Sequence, residues 1–303
     1  MPSSPIRIGT RSSPLAMWQA RWVQQLLHQK SIPSELVQIE SQGDQDSTQP
    51  LYAMNIQGIF TKALDQALLR KDIDIAVHSY KDVPTQLPQG IVLAAVLERG
   101  NTTDILVYKT PMATWPEKAI VGTSSLRRSA QWKHRYPSHQ TATLRGNVQR
   151  RLQRLEESHW IGAMFAAAGL ERVNQLPEQH LILDWMIPAP AQGAVCVVAR
   201  QDQPELLNQL QFLNCQSTHA ATKQERIFLR KLEGGCTAPV GAQVRQQSNG
   251  WYFTGGVFSV DGHKKSVFEQ HFPHEQVHQI GDIAADHVLQ NGGEAIMDAF
   301  KNK

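Results

Sequence analysis

Ile6-Arg7-Ile8-Gly9-Thr10-Arg11-Ser12-Ser13-Pro14-Leu15 reads as a strand, a turn and the start of a helix. Ile6 and Ile8 alternate with Arg7, and Gly9 to Pro14 break the strand. Leu15, Trp18, Trp22, Val23 and Leu26 then recur at helical spacing, with Pro14 suited to the first turn. The arrangement returns in Ala119-Ile120-Val121-Gly122-Thr123-Ser124-Ser125-Leu126-Arg127-Arg128. In both places a Gly-Thr turn ending in two serines lies between a strand and a helix. Free N–H groups and the positive end of a helix dipole make such a turn an anion site. The plainer reading is that the serines are helix N-caps. Two such units point to two similar α/β lobes with a cleft between them.

Further elements extend the pattern. Phe60, Ala63, Leu64, Ala67 and Leu68 mark an amphipathic helix. Ile73, Ile75 and Val77 mark a strand that leads into His78-Ser79-Tyr80-Lys81-Asp82-Val83-Pro84, and Ile91 to Val96 is another strand. Apolar strands alternating with helices define an α/β sheet. A second α/β unit starts after about residue 100, with helices at Leu126 and at Val148, Leu152 and Leu155, and a strand from Trp160 to Ala166. Ile187-Pro188-Ala189-Pro190-Ala191 reads as a crossing segment. The last third differs: a helix around 218–232, then Gly234-Gly235-Cys236, then strands at Trp251 to Val260 and Val267 to Phe272. A closing helix is predicted from Asp282 to Phe300, which makes this part a small α+β domain.

The chain has 303 residues, enough for two or three domains, and a net charge of +3. That mild charge, without a basic stripe or a DNA-binding motif, argues against a nucleic-acid partner. No apolar run is long enough to span a membrane, and Met1 to Thr10 lacks an apolar signal core, so a cytoplasmic protein is expected. The three cysteines, Cys196, Cys215 and Cys236, have no metal-ligand spacing and no disulfide framework. Cys196 and Cys215 read as small buried residues. Cys236 follows two glycines on a loop, where a nucleophile or attachment point is the functional reading.

The arginines carry the next signal. Arg127 and Arg128 sit at a helix start, where cations oppose the dipole, so the placement asks for an anion. Arg145 precedes the turn Gly146-Asn147, and Arg150, Arg151 and Arg154 follow. Guanidinium forks pair with carboxylates through two hydrogen bonds, so a polycarboxylate or polyphosphate ligand is expected. Arg150 and Arg154 fit as solvated surface charges. Asp82, at the end of an apolar strand, stands where ligands bind in α/β sheets and could protonate a leaving group or stabilise a cation.

These segments together resemble the hydroxymethylbilane synthase (porphobilinogen deaminase) family, in order and over nearly the whole chain. The matching pieces are Ile8 to Ala16, His78 to Pro84, Gly122 to Arg128, Leu144 to Val148, Ala168 to Arg172, Gln192 to Ala194 and Leu232 to Cys236. The resemblance implies three domains: 1–97 with 195–213, 101–190, and 217–303. The first two would be lobes like those of periplasmic binding proteins, and the third would carry the cofactor cysteine. It implies a dipyrromethane cofactor held by a thioether to Cys236, onto which four porphobilinogen molecules are condensed with loss of ammonia. Asp82 matches the catalytic acid. Arg11, Lys81, Arg127, Arg128, Arg145, Arg151 and Arg172 match carboxylate-binding positions, and Ser13, Thr123, Ser124, Ser125, Gly146 and Gln192 match further substrate- or cofactor-binding positions. The resemblance also implies a monomer that passes its product to uroporphyrinogen-III synthase.

The chain departs from the family pattern in four places, one of them Ala191, where the family usually has Gly. Gln42, Gln57 and Ala63 stand where the family usually has Arg, Lys and Glu. Slower substrate handling or a different loop closure around 42–60 is expected. The competing class is a polycarboxylate-binding module without catalysis; the presence of both Asp82 and Cys236 speaks against it.

Overall fold

Short apolar runs build the strands of the computed structural model, which describes residues 4–40, 61–110, 115–233, 235 and 238–302. In chain order the strands are β1 (Ile6–Thr10), β2 (Ser34–Gln38), β3 (Ile75–Ser79), β4 (Ile91–Val96), β5 (Asp104–Tyr108), β6 (Ile120–Gly122), β7 (Gln140–Ala142), β8 (Gly162–Ala166), β9 (His180–Ile182), β10 (Val195–Arg200), β11 (Val240–Gln247), β12 (Gly250–Phe258) and β13 (Lys265–Phe272). The α-helices are α1 (Pro14–Gln29), α2 (Lys62–Leu69), α3 (Leu126–Arg135), α4 (Val148–Glu157), α5 (Ala167–Arg172), α6 (Pro204–Gln209), α7 (Gln216–Lys231), α8 (Ile280–Val288) and α9 (Glu294–Lys301).

The described residues fall into two compact units. One holds those before Asn101 together with Gly193–His219; the other holds Asn101–Gln192 and Ala220–Lys303. The sheet of the first unit runs β2-β1-β3-β10-β4. Here β1 is parallel to β2 and β3, and β10 is antiparallel to β3 and β4. The larger unit contains a sheet of the same plan, β7-β6-β8-β5-β9. There β6 is parallel to β7 and β8, and β5 is antiparallel to β8 and β9. β1 and β6 are therefore equivalent strands, and the two Gly-Thr turns follow equivalent strand ends. Both glycines are needed for close packing. A Cβ on Gly9 would overlap the Ile73 side chain, and one on Gly122 would lie 2.5 Å from the Trp160 ring.

Helices cover both faces of the first sheet. Ala20, Val23 and Leu27 of α1 pack on Ile6, Ile8, Ile75, Val77 and Val197. Leu64, Ala67 and Leu68 of α2 pack on Ile73, Ala76 and Val198 on the other side. Burial on both faces explains why these strands read as continuous apolar runs, each buried Leu or Ile contributing about 1.5–3 kcal/mol. Cys196 is fully buried within β10, as its apolar setting predicts.

The C-terminal part is an antiparallel three-stranded sheet, β11-β12-β13, packed against Phe228, Leu229 and Leu232 and against α8 and α9. It joins the second sheet within the same unit. The Ala242 amide donates to Pro188 O at 3.0 Å, and a ring nitrogen of His134 lies 2.8 Å from Gly262 O. The closing helix predicted for 282–300 is in fact two helices. Asn291 and Gly292 leave helical geometry between α8 and α9, Gly292 at φ +92°. Gly292-Gly293 supplies the freedom for that break.

Candidate active site

Parallel strands place the loops after β1 and β3 at one edge of the first sheet, its carboxyl edge, where α/β sheets bind ligands. Arg11, Ser12 and Ser13 follow β1. The Ser13 hydroxyl accepts from Ala16 N at 3.4 Å and caps α1, so the cap reading of this turn holds. Lys81 and Asp82 lie half-buried on a 3₁₀ turn, Tyr80–Asp82, directly after β3. That turn is held from both sides. The Tyr80 amide donates to Ala194 O at 3.0 Å, Gln19 Nε2 donates to Ser79 Oγ at 2.8 Å, and the Tyr80 and Val83 side chains are buried.

His78, on β3, is buried and its Nε2 has no hydrogen-bond partner among the described residues. Burial, helped by the charge of Arg11, lowers its pKa to about 4.

The same edge of the second sheet gathers the loops after β6, β7 and β8. Thr123 Oγ1 accepts from Ser125 N at 3.2 Å, and Ser125 Oγ accepts from Arg128 N at 3.4 Å, capping α3. Ser124 Oγ both donates to Leu144 O and accepts from Leu144 N, each at 2.9 Å. It thereby fixes the chain immediately before Arg145. Arg151 Nε donates to Gly146 O at 2.7 Å and holds the other side of that turn, where Gly146 has φ +98°. Arg145 Nη1 is buried without a partner among the described residues. Arg172 ends α5, and burial lowers its pKa to about 10 against the opposing charge of Glu171.

Arg127 and Arg128 do have an anion, but it belongs to the chain. Asp104, fully buried at the start of β5, takes Arg127 Nη1 on Oδ2 at 2.6 Å and Arg128 Nε on Oδ1 at 2.8 Å. Gln192 Nε2 donates to the same Oδ1 at 3.2 Å. Gln192 is held through its neighbour. Ala191 adopts φ +61°, and its amide donates to the buried Glu225 carboxylate at 2.6 Å, whose other oxygen accepts from Val244 N at 2.7 Å. Asp104 and Glu225 escape sequence reasoning, since a single acid in an apolar or helical stretch carries no motif.

Cys215 is half-buried before α7, not fully buried as expected. Burial pushes its thiol pKa up, but hydrogen bonds with Ser217 and Thr218 outweigh that and leave it below the usual value. Cys236, Gln42, Gln57 and the whole of the 42–60 segment lie outside the described residues; Ala63 lies on α2.

An α/β protein that gathers arginines and hydroxyls at the carboxyl edge of a sheet is of the class that handles anionic ligands. Comparison with known proteins narrows this. The family model described as porphobilinogen deaminase, dipyromethane cofactor binding domain, matches residues 6–208, and the porphobilinogen deaminase C-terminal domain matches 220–290. The porphobilinogen deaminase of Pelobacter propionicus is 37% identical over 303 residues, covering 98% of both chains. That of Syntrophotalea carbinolica is 39% identical, covering 99% of this chain and 97% of its own. The chain belongs to the porphobilinogen deaminase family. Among solved structures, an ancestral cationic amino acid solute-binding protein matches with a TM-score of 0.43 and 12% identity, over 75% of this chain and 90% of that one. An arginine periplasmic binding protein from Legionella pneumophila gives a TM-score of 0.40 and 10% identity, over 69% of this chain and 91% of that one.

Proposed function

We infer that this chain is a transferase that condenses four porphobilinogen molecules head to tail on a dipyrromethane primer and releases the linear tetrapyrrole hydroxymethylbilane. The observation that carries the reading beyond kinship is the buried Nη1 of Arg145, without a partner among the described residues, on a turn clamped by Ser124 and Arg151. A donor left unsatisfied inside the fold is costly unless a ligand meets it. Each pyrrole of porphobilinogen and of the primer carries an acetate and a propionate, so carboxylates fit this donor and the desolvated Arg172. The family model's description supplies the dipyrromethane, and a dicarboxylate pyrrole group suits such a donor set.

The primer, when bound, would supply the free pyrrole carbon to which the first unit is joined, and each later unit would join the chain end left by the one before. In this reading Cys236 holds it by a thioether. Arg11, Lys81, Arg127, Arg128, Arg145, Arg151 and Arg172 bind carboxylates, while Ser13, Thr123, Ser124, Ser125, Gly146 and Gln192 shape the strand-end turns. Asp82 assists departure of ammonia from porphobilinogen, holds the resulting cation by charge, and accepts a pyrrole N–H. A new carbon–carbon bond then forms as the attacking pyrrole loses a proton, and hydrolysis frees the finished tetrapyrrole. Among the described residues no helix is long and apolar enough to cross a membrane. The proposal includes a cytoplasmic monomer that hands its product to uroporphyrinogen-III synthase.

Intact mass of the purified protein tests the reading. A mass above the sequence value by one dipyrromethane, and a ladder of single-pyrrole steps after porphobilinogen is added, are expected. A bare chain unchanged by substrate would put a binding module in its place.

A further inference from the structure

We propose that Asp104 is a positioning residue, an internal counter-anion that orients Arg127 and Arg128 and limits their grip on ligand carboxylates. The proposal rests on the reading of those two arginines as substrate-binding.

Asp104 is the first residue of β5 and pairs in register with Ala166, the last residue of β8. It therefore sits at the carboxyl edge of the second sheet, the edge from which α3, with Arg127 and Arg128, and α5, with Arg172, set out. Its exposure is 0%, against 4% for Arg127 and 6% for Arg128. Arg127 reaches both carboxylate oxygens, Nη1 to Oδ2 at 2.6 Å and Nη2 to Oδ1 at 3.1 Å. Arg128 Nε and Nη2 both lie 2.8 Å from Oδ1. Further donors go to neutral carbonyls: Arg127 Nη1 to Ile187 O and Arg128 Nη1 to Met164 O. Arg127 Nε is buried without a partner among the described residues.

The charge balance decides what this cluster is for. Among the described residues, the two buried guanidiniums and one carboxylate of this cluster sum to +1. A buried pair that served stability alone could be replaced by apolar side chains with little loss, and an excess buried charge makes it worse. The excess becomes useful when a ligand carboxylate arrives to complete the balance. Without Asp104 the excess would be +2, and the two cations would hold any carboxylate harder. Asp104 thus sets an intermediate grip, firm enough to orient a carboxylate and weak enough to let a growing chain advance and leave. Gln192 donates to Asp104 Oδ1, so its amide steadies the carboxylate, with Glu225 steadying Gln192 through Ala191.

The test uses full-length Asp104→Asn and Asp104→Glu proteins, with steady-state kinetics on porphobilinogen and intact mass after substrate. Asp104→Asn should lower KM and kcat together, each about tenfold, the scale of one charge-assisted hydrogen bond. Its mass ladder should shift toward the longest adducts. Asp104→Glu keeps the charge and should hold KM and the ladder within about threefold of wild type, well inside that tenfold scale. An Asp104→Asn enzyme with wild-type KM and ladder would overturn the proposal. So would an Asp104→Glu enzyme as impaired as Asp104→Asn, since packing alone would then be at stake. Should Asp104→Asn not fold, Asp104→Glu decides: a KM and ladder within about threefold of wild type support the proposal, and a change of about tenfold in either overturns it. Absence of any ladder in the wild-type protein would instead sink the functional reading itself.

Discussion

Asp82 is held at its post by backbone hydrogen bonds of the turn and by the buried Tyr80 and Val83 side chains. Asp82→Asn should therefore fold normally and lose at least about 100-fold in turnover, the scale of general acid catalysis. Intact mass and stopped-assay kinetics check this, and near wild-type turnover would remove Asp82 from the mechanism. Arg145→Ala removes a guanidinium that has one donor unspent. It should raise KM or stall the mass ladder at an intermediate length while the melting temperature barely moves. His78 bears on pH. Its folded pKa, about 4, lies below the ordinary 6.5. The stability it permits is complete above pH 6.5 and is lost as pH falls toward 4, by up to about 3 kcal/mol. Urea unfolding at pH 7.5 and 4.5 should show a smaller acid loss in His78→Asn than in wild type.

Among the elements, α2 carries the opposite dependence. Asp65 is buried on it, and desolvation raises its pKa to about 6 despite a hydrogen bond with Thr61. A folded pKa above the unfolded one means the ionised group destabilises above pH 6 and the penalty disappears as pH falls toward 3.8. Asp65→Asn should stabilise the protein at pH 8 by about 1–3 kcal/mol, and the gain should vanish near pH 4 in the same urea measurement. α1, α3 and α4 and strands β3, β4 and β8 are legible in the sequence because their periodicity is strong. β7 and β9 are not: each spans three residues at a sheet edge and is only partly buried, so no pattern accumulates. Asp104 was illegible for another reason, since its partners lie 24 residues away in Arg128 and 88 away in Gln192. The arginines at the start of α3 predict an anionic ligand from sequence; that the chain itself supplies a carboxylate, Asp104, is visible only in the fold. The caps at Ser13 and Ser125 were visible as one of two readings, and the structure gives each hydroxyl that local role.

At the scale of the molecule, two sheets of one plan are threaded differently. In the second, β5 is made before β6, β8 and β9 and lies next to β8 and β9. In the first, the corresponding place between β3 and β4 is filled by β10, which lies beyond the whole second sheet in sequence. A fragment of residues 1–100 therefore lacks an interior strand. It should show no cooperative thermal transition by circular dichroism, whereas the intact chain should. The same threading sets an order on the ribosome. Nascent β1 to β4 emerge first yet must wait, with β3 and β4 lacking the partner between them, until Val195–Arg200 leaves the exit tunnel. The lobe translated earliest is thus completed after the strands of its twin, and the cell must shelter its apolar edges through roughly the first two-thirds of synthesis.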